Sequence, residues 1–170
     1  MIRPAHPADA PAIAAVYNHY VLHTPITFEE EAVSGDEIVA RLQEVQAGLP
    51  WLVAEHEGVV IGYAYASRWK SRCAYRYAVE TTVYVDQAAR GAGVGSKLYQ
   101  ALVGDLRGRS MHSLIGGIAL PNAASVALHE KFGFRKVAHF EQVGWKFKQW
   151  IDVGYWELIL AGGPPAPPAT

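Results

Sequence analysis

The sequence predicts an α/β domain whose central sheet is mixed but mostly antiparallel, with helices on both faces. Three observations carry that reading. Two apolar, β-branched runs, Trp51 to His56 and Val59 to Ser67, meet at Glu57-Gly58, a short hairpin signal. Two amphipathic helical patterns precede them. After them, segments of helical and strand period alternate to the end. With antiparallel hairpins in its middle, the sheet is not a doubly wound nucleotide-binding one.

Each element has its own signal. Ile2 to Pro4 reads as a short edge strand. Asp9 is placed as an N-cap, with Pro11 in the first turn. Ile13, Val16, Tyr17, Tyr20 and Val21 then recur at helical spacing up to about Leu22. Ser34 and Glu37 form a capping box before Ile38, Leu42 and Val45, which share one helical face. Beyond the hairpin and the polar loop Arg68 to Arg72, Tyr75 to Val85 reads as the central strand. Val94, Leu98, Ala101, Leu102 and Leu106 mark a helix, and Ser113 to Leu120 a further strand. Asn122 caps a helix carrying Ala124, Leu128 and Phe132, which Gly133 ends. Strands at about Arg135 to Val143 and Gly154 to Leu160 close the order.

The 170 residues, 51% hydrophobic, suit one globular domain over 1–160, with a disordered Gly/Pro-rich tail over 161–170. A net charge of -1 provides no global field for nucleic acid or an anionic membrane, so neither is expected as a partner. Cys73 is the single cysteine, which excludes an internal disulfide and a Cys-rich zinc site and suits a reducing cytoplasm. No apolar run approaches the roughly 20 residues that span a bilayer. The first residues lack the apolar core of a secretory signal. Cytoplasmic placement is the expectation. The seven histidines lack ligand spacing, so no metal is expected.

The chemistry concentrates at Arg90-Gly91-Ala92-Gly93-Val94-Gly95-Ser96, between the central strand and a helix. Glycines at alternate positions let a backbone approach a ligand closely, and N–H groups at a helix start attract an anion such as pyrophosphate. The spacing fits neither a dinucleotide fingerprint nor a P-loop. A glycine-rich connection with no ligand is the alternative.

Val83-Tyr84-Val85, a short polar gap and this turn together resemble the GNAT superfamily of N-acetyltransferases, over essentially the whole domain. The resemblance implies a splayed central strand pair, with acetyl-CoA as co-substrate. Val83, Tyr84 and Val85 would hold its pantetheine arm through their backbone, and Arg90 to Ser96 its pyrophosphate. Asn122 and Ser125 open the next helix beside that arm, and Lys131-Phe132-Gly133-Phe134 matches the family's ending of it. Trp69 to Tyr75, Val79-Glu80-Thr81-Thr82, Ser125 to Glu130, Gly144-Trp145-Lys146 and Trp150 to Gly154 look like the phosphinothricin and methionine sulfoximine acetyltransferase branch. Gly116-Gly117, where relatives carry larger aliphatic residues, and Arg76 depart from it.

That branch implies direct transfer of acetyl to the α-amine of a small amino-acid-like substrate. An ammonium must first lose its proton. Glu80, interrupting an apolar strand at the implied splay, is the candidate base; the alternative is a solvent-facing strand residue. His129 is the candidate acid, second base or clamp, against a structural role. Lys70, Arg72 and Tyr75 would grip substrate anions unless they form a solvated basic loop. Thr81, Thr82, Phe28 and Tyr99 complete the implied substrate contacts, though aromatics there also suit a core. A different amine, such as a protein N-terminus or polyamine, and a non-catalytic CoA sensor remain as alternatives. A homodimer is implied, with Trp145, Trp150, Tyr155 and Trp156 either at its interface or in the monomer core.

Overall fold

A computed structural model describes residues 1–161. The expected tail lies outside the described residues, apart from Ala161 at its start. One seven-stranded sheet runs in the order β1-β2-β3-β4-β5-β7-β6. Its strands are β1 (Ile2–Pro4), β2 (Trp51–His56), β3 (Val59–Arg68), β4 (Ala78–Val85), β5 (Ser113–Leu120), β6 (Arg135–Lys146) and β7 (Gln149–Ile159). The helices are α1 (Ala10–His23), α2 (Gly35–Gln46), α3 (Val94–Gly108) and α4 (Ala123–Lys131). Every strand pair is antiparallel except β4–β5.

The two-residue alternation of β2 and β3 sorts the core. Leu52, Ala54, Ala64 and Ala66 turn to one face and pack with Leu98, Leu102 and Leu106 of α3. Trp51, Val53 and Tyr63 turn to the other, against Ile13, Val16 and Val21 of α1 and Ile38 and Leu42 of α2. Helices cover both faces, so these strands read as nearly continuous apolar runs.

The feature that makes a site is the brevity of the parallel pair. β4 and β5 share only Ala78↔Ser113, Val79↔Leu114 and Glu80↔Ile115. Beyond Glu80, β4 stays with β3 as far as Val85, and β5 stays with β7 as far as Leu120. The two strands part into a wedge.

Several local expectations shift. Ser34 and Glu37 form the reciprocal capping box. Asp9, by contrast, makes no side-chain cap to α1; its carboxylate takes the His6 N–H and both ends of the Arg3 guanidinium, each at 2.8 Å. β4 starts at Ala78 rather than Tyr75, because Cys73–Tyr75 winds into a 3-10 turn closed by Arg76 N–H to the Cys73 carbonyl. β6 and β7 are longer than their sequence signals and form one hairpin through the pairs Trp145↔Trp150 and Lys146↔Gln149. Its turn places Phe147 and Lys148 at φ 50° and 59°, where glycine or asparagine is usual, so the sequence carries no turn signal there. The late tryptophans divide: Trp156 is buried, while Trp145 and Trp150 are exposed.

Candidate active site

The wedge opens into a cleft of about 560 Å³ between β4, the α3 turn and α4. The ladder phase fixes which backbone groups face it. Asp86 N–H bonds the Ile61 carbonyl, making 86/61 a bonded pair of the antiparallel β3–β4 ladder. Bonded and non-bonded pairs alternate, so the N–H and C=O groups of Val83 and Val85 point away from β3 and into the wedge. The Val85 carbonyl accepts the Tyr20 hydroxyl there at 2.5 Å.

At the outer end, Gly91 and Gly93 have φ of 79° and 75°, so the turn needs residues without a Cβ at both places. α3 begins at Gly93 with no side-chain cap. Its first N–H groups therefore lack intrahelical acceptors and carry the positive end of the helix dipole. Arg90, Gly91, Val94, Gly95 and Ser96 line the cleft beside it. Across the gap, Lys131 Nζ donates to Ser96 Oγ at 3.2 Å, and the Arg90 guanidinium lies over Tyr20. Asn122 accepts the Ser125 N–H to start α4, and both line the cleft. Thus the structure gathers the sequence-predicted donor-site residues around one space, except Ala92, which faces a separate surface hollow with Met1 and Lys97. Tyr20, Ile26 and Leu128 line the cleft as well; only the folded topology brings them there.

At the inner end, Glu80 is the last residue of β4 paired with β5. It is partly buried, and desolvation pushes its pKa above the ordinary 4.5, with the Lys70 ammonium opposing. Gly117 keeps the space beside it open: a Cβ there would lie 3.1 Å from Glu80 Oε1 and 3.1 Å from the Tyr155 ring. Lys70, over the Trp69 ring, lines a neighbouring pocket of about 290 Å³ with Phe140 and Tyr155. Arg72 and Tyr75 are exposed on the loop before β4. Thr82 pairs with Tyr65 across the β3–β4 ladder, on the Glu80 face of the sheet. Phe28 lies against Gly144.

Three expected contacts move behind the wall. Tyr99 is fully buried; its hydroxyl lies 2.7 Å from Thr81 Oγ1 and 2.7 Å from His129 Nε2. Thr81 and His129 are buried too, at 4% and 3% exposure. His129 Nδ1–H donates to the Ser125 carbonyl at 2.7 Å, which leaves Nε2 to accept from Tyr99. Burial lowers the His129 pKa, consistent with a neutral ring. Because β5 turns Gly116 toward His129 and Gly117 toward Glu80, the two candidate catalytic groups sit on opposite faces of one strand. The structure thus places Thr81, Tyr99 and His129 behind the cleft wall, bonded to one another rather than gathered with the other expected contacts. Among the described residues, no group of three His, Cys, Asp or Glu is placed to hold a metal ion.

Residues 2–154 match the family described as acetyltransferase (GNAT) domain. The chain is 41% identical to a phosphinothricin N-acetyltransferase of Streptomyces viridochromogenes over 98% of its length and 90% of the relative's. It is 42% identical to an L-methionine sulfoximine/L-methionine sulfone acetyltransferase of Salmonella typhimurium over 94% of each chain. A solved GNAT superfamily phosphinothricin acetyltransferase of Sinorhizobium meliloti, in complex with acetyl-CoA, superposes with a TM-score of 0.92 at 35% identity, covering 100% of this chain and 92% of that one. The uncapped helix start with Arg90 and Lys131 suits a pyrophosphate, and the apolar edge of Val83, Val85 and Leu128 suits an extended thiol arm. In sequence, architecture and the chemistry of its cleft, the chain belongs to the GNAT acetyltransferase family, with acetyl-CoA as its acyl donor.

Proposed function

We propose that the chain N-acetylates the α-amine of a small amino-acid-like acceptor of the phosphinothricin or methionine sulfoximine type, by direct transfer with Glu80 as general base. The observation that carries this is the position of Glu80: a partly buried carboxylate at the apex of the wedge, where β4 leaves β5. Acetyl-CoA supplies an activated acetyl thioester. Arg90, Lys131, Ser96 and the first N–H groups of α3 hold the anionic end of the donor, and the wedge-facing backbone of Val83 and Val85 aligns its arm. The Val83 N–H is the donor proposed for the developing oxyanion. Glu80 takes one proton from the acceptor ammonium, directly or through water, and the neutral amine attacks the thioester carbonyl carbon. The C–S bond then breaks, and the nitrogen's second proton goes to the departing thiolate to give CoA thiol. Its raised pKa matches that task better than an ordinary carboxylate. Lys70 and Arg72, which no ion pair holds among the described residues, are the proposed grips for the acceptor's anionic groups.

The same reading places the enzyme in the cytoplasm as a homodimer. No described helix is long and apolar enough to cross a membrane. Trp145 and Trp150, paired across the β6–β7 hairpin, expose an aromatic face that suits a second copy. A mass by light scattering near one chain, 18.6 kDa, rejects the dimer.

The test is release of CoA thiol with phosphinothricin, methionine sulfoximine, methionine sulfone, glutamate, a polyamine and a short peptide as acceptors. Saturable turnover with the first three is expected. Turnover confined to the polyamine or peptide overturns the acceptor assignment, and acetyl-CoA binding with no turnover at all favours a sensor.

A further inference from the structure

Lys146 is among the most deeply buried side chains of the protein, at 2% exposure, and beside the Phe147 ring its ammonium hydrogen-bonds to backbone. Its ammonium donates to three carbonyls: Val21 at 2.6 Å, Thr27 at 2.8 Å and Glu29 at 2.7 Å. An ammonium has three donors, and here all three are used. The first acceptor ends α1. The other two belong to residues 24–33, which form neither helix nor strand and join α1 to α2. A lysine that only capped α1 would have no need of Thr27 and Glu29.

Gly144 and Lys146 alternate to the same face of β6 and form one seat. Lys146 holds the carbonyls of Thr27 and Glu29, while Phe28 between them lies flat on Gly144, where a Cβ would come within 2.3 Å of Cζ. The seated segment carries Ile26 into the cleft wall. Its Thr27 hydroxyl bonds Tyr17 at 2.8 Å, and its Glu29 carboxylate pairs with Arg41 at 2.7 Å. Tyr17 in turn packs edge-on against Tyr84, which shares a face of β4 with Glu80, and this sets the segment on the Glu80 face of the sheet.

We propose that Lys146 is a positioning residue of the acceptor site: with Gly144 it pins residues 24–33 to the β6–β7 hairpin as the wall facing Glu80. It touches neither substrate; it sets how tightly the acceptor is held. The inference rests on the reading of Glu80 as the base at the acceptor end.

Lys146→Met keeps the length and removes all three donors. Gly144→Ala disturbs the same seat from the other side, and it folds readily because the atoms it meets are the far end of a half-exposed phenylalanine. Both variants are expected to raise the acceptor KM about tenfold while kcat and the acetyl-CoA KM stay within about twofold. Hydrogen exchange in residues 24–33 should rise in Lys146→Met and remain unchanged in β2 and β3. An unchanged acceptor KM in both folded variants, or a parallel rise in both KM values, overturns the proposal, as does unchanged exchange in the segment. Glu80→Gln separates the two readings: full turnover in that variant sinks the base, while the KM split still reports on Lys146. If wild type acetylates none of the amines, the acceptor assignment falls, and the exchange result alone decides whether Lys146 pins the segment.

Discussion

Gly116 lies flat under the ring of His129: a Cβ at position 116 would sit 2.3 Å from Nε2 and 2.5 Å from Cδ2. The ring cannot retreat, since Nδ1 is bound to the Ser125 carbonyl and Nε2 to Tyr99. Gly116→Ala is therefore expected to destabilise by about 1–3 kcal/mol, as overpacking of a rigid core site does. The melting temperature should fall by about 2–4 °C per kcal/mol for a chain of this size. An unchanged melting temperature would show that the ring has room to move.

Glu80→Gln should lower kcat by about 10²- to 10⁴-fold, the usual contribution of a positioned base, and leave acetyl-CoA affinity unchanged by calorimetry. Wild-type kcat/KM should rise with pH through an inflection above the ordinary carboxylate value of 4.5, because the ionised form is the active one and burial raises its pKa. Stability runs the other way. A carboxyl whose folded pKa exceeds its unfolded value binds more protons when folded, so the folded state loses stability as pH rises from 4.5 through the raised value. The glutamine variant should thus melt no lower than wild type at pH 7.

Tyr99→Phe leaves His129 Nε2 without its donor and Thr81 Oγ1 with only the Ile115 carbonyl, at 3.3 Å. About 1–3 kcal/mol of stability should be lost, measured by urea unfolding. His129 itself titrates in the opposite sense to Glu80. Its folded pKa lies below the ordinary 6.5, so the unfolded chain takes up a proton first and stability declines as pH falls below 6.5. The advantage of wild type over His129→Gln should narrow between pH 7 and pH 5.

Gly93 at φ 75° starts α3, and Lys131 faces Ser96 across the cleft mouth. Gly93→Ala and Lys131→Ala should each raise the acetyl-CoA KM about tenfold with little change in the acceptor KM. The Lys131 effect should shrink in high salt, since it is screened charge. Equal KM values for wild type and both variants would move the anion site elsewhere.

What the sequence made legible was local. The Ser34–Glu37 box, the Glu57-Gly58 turn and the Asn122 cap all rest on contacts within a few residues, and each formed as read. The expected donor-site residues other than Ala92, in three short stretches, line one cleft because β4, α3 and α4 pack around it. Elsewhere the deciding partner was remote or the signal misleading. Asp9 is taken by Arg3 from the neighbouring strand rather than by its own helix. The β6–β7 turn uses Phe147 and Lys148, which advertise nothing. Lys146 looks like any strand lysine until residues 117 to 125 positions away supply its three acceptors. Gly116 and Gly117, which depart from the resembling branch, each make room for a neighbouring side chain, His129 and Glu80.

The short parallel ladder has a thermal consequence. With three residue pairs joining β1–β4 to β5–β7, and the Tyr77 carbonyl accepting from His112 and Ser113 just before them, the backbone junction in the middle of the sheet spans Tyr77 to Glu80. A ligand lying along the free edge at Val83 and Val85 finishes a ladder that the polypeptide leaves open, and ties the two half-sheets across their weakest joint. Such a ligand is a structural member as well as a reactant. Bound at a hundred times its Kd, it adds about 2.7 kcal/mol to the folded state by mass action alone. The enzyme is then most robust while it holds its donor and softest in the moment between turnovers.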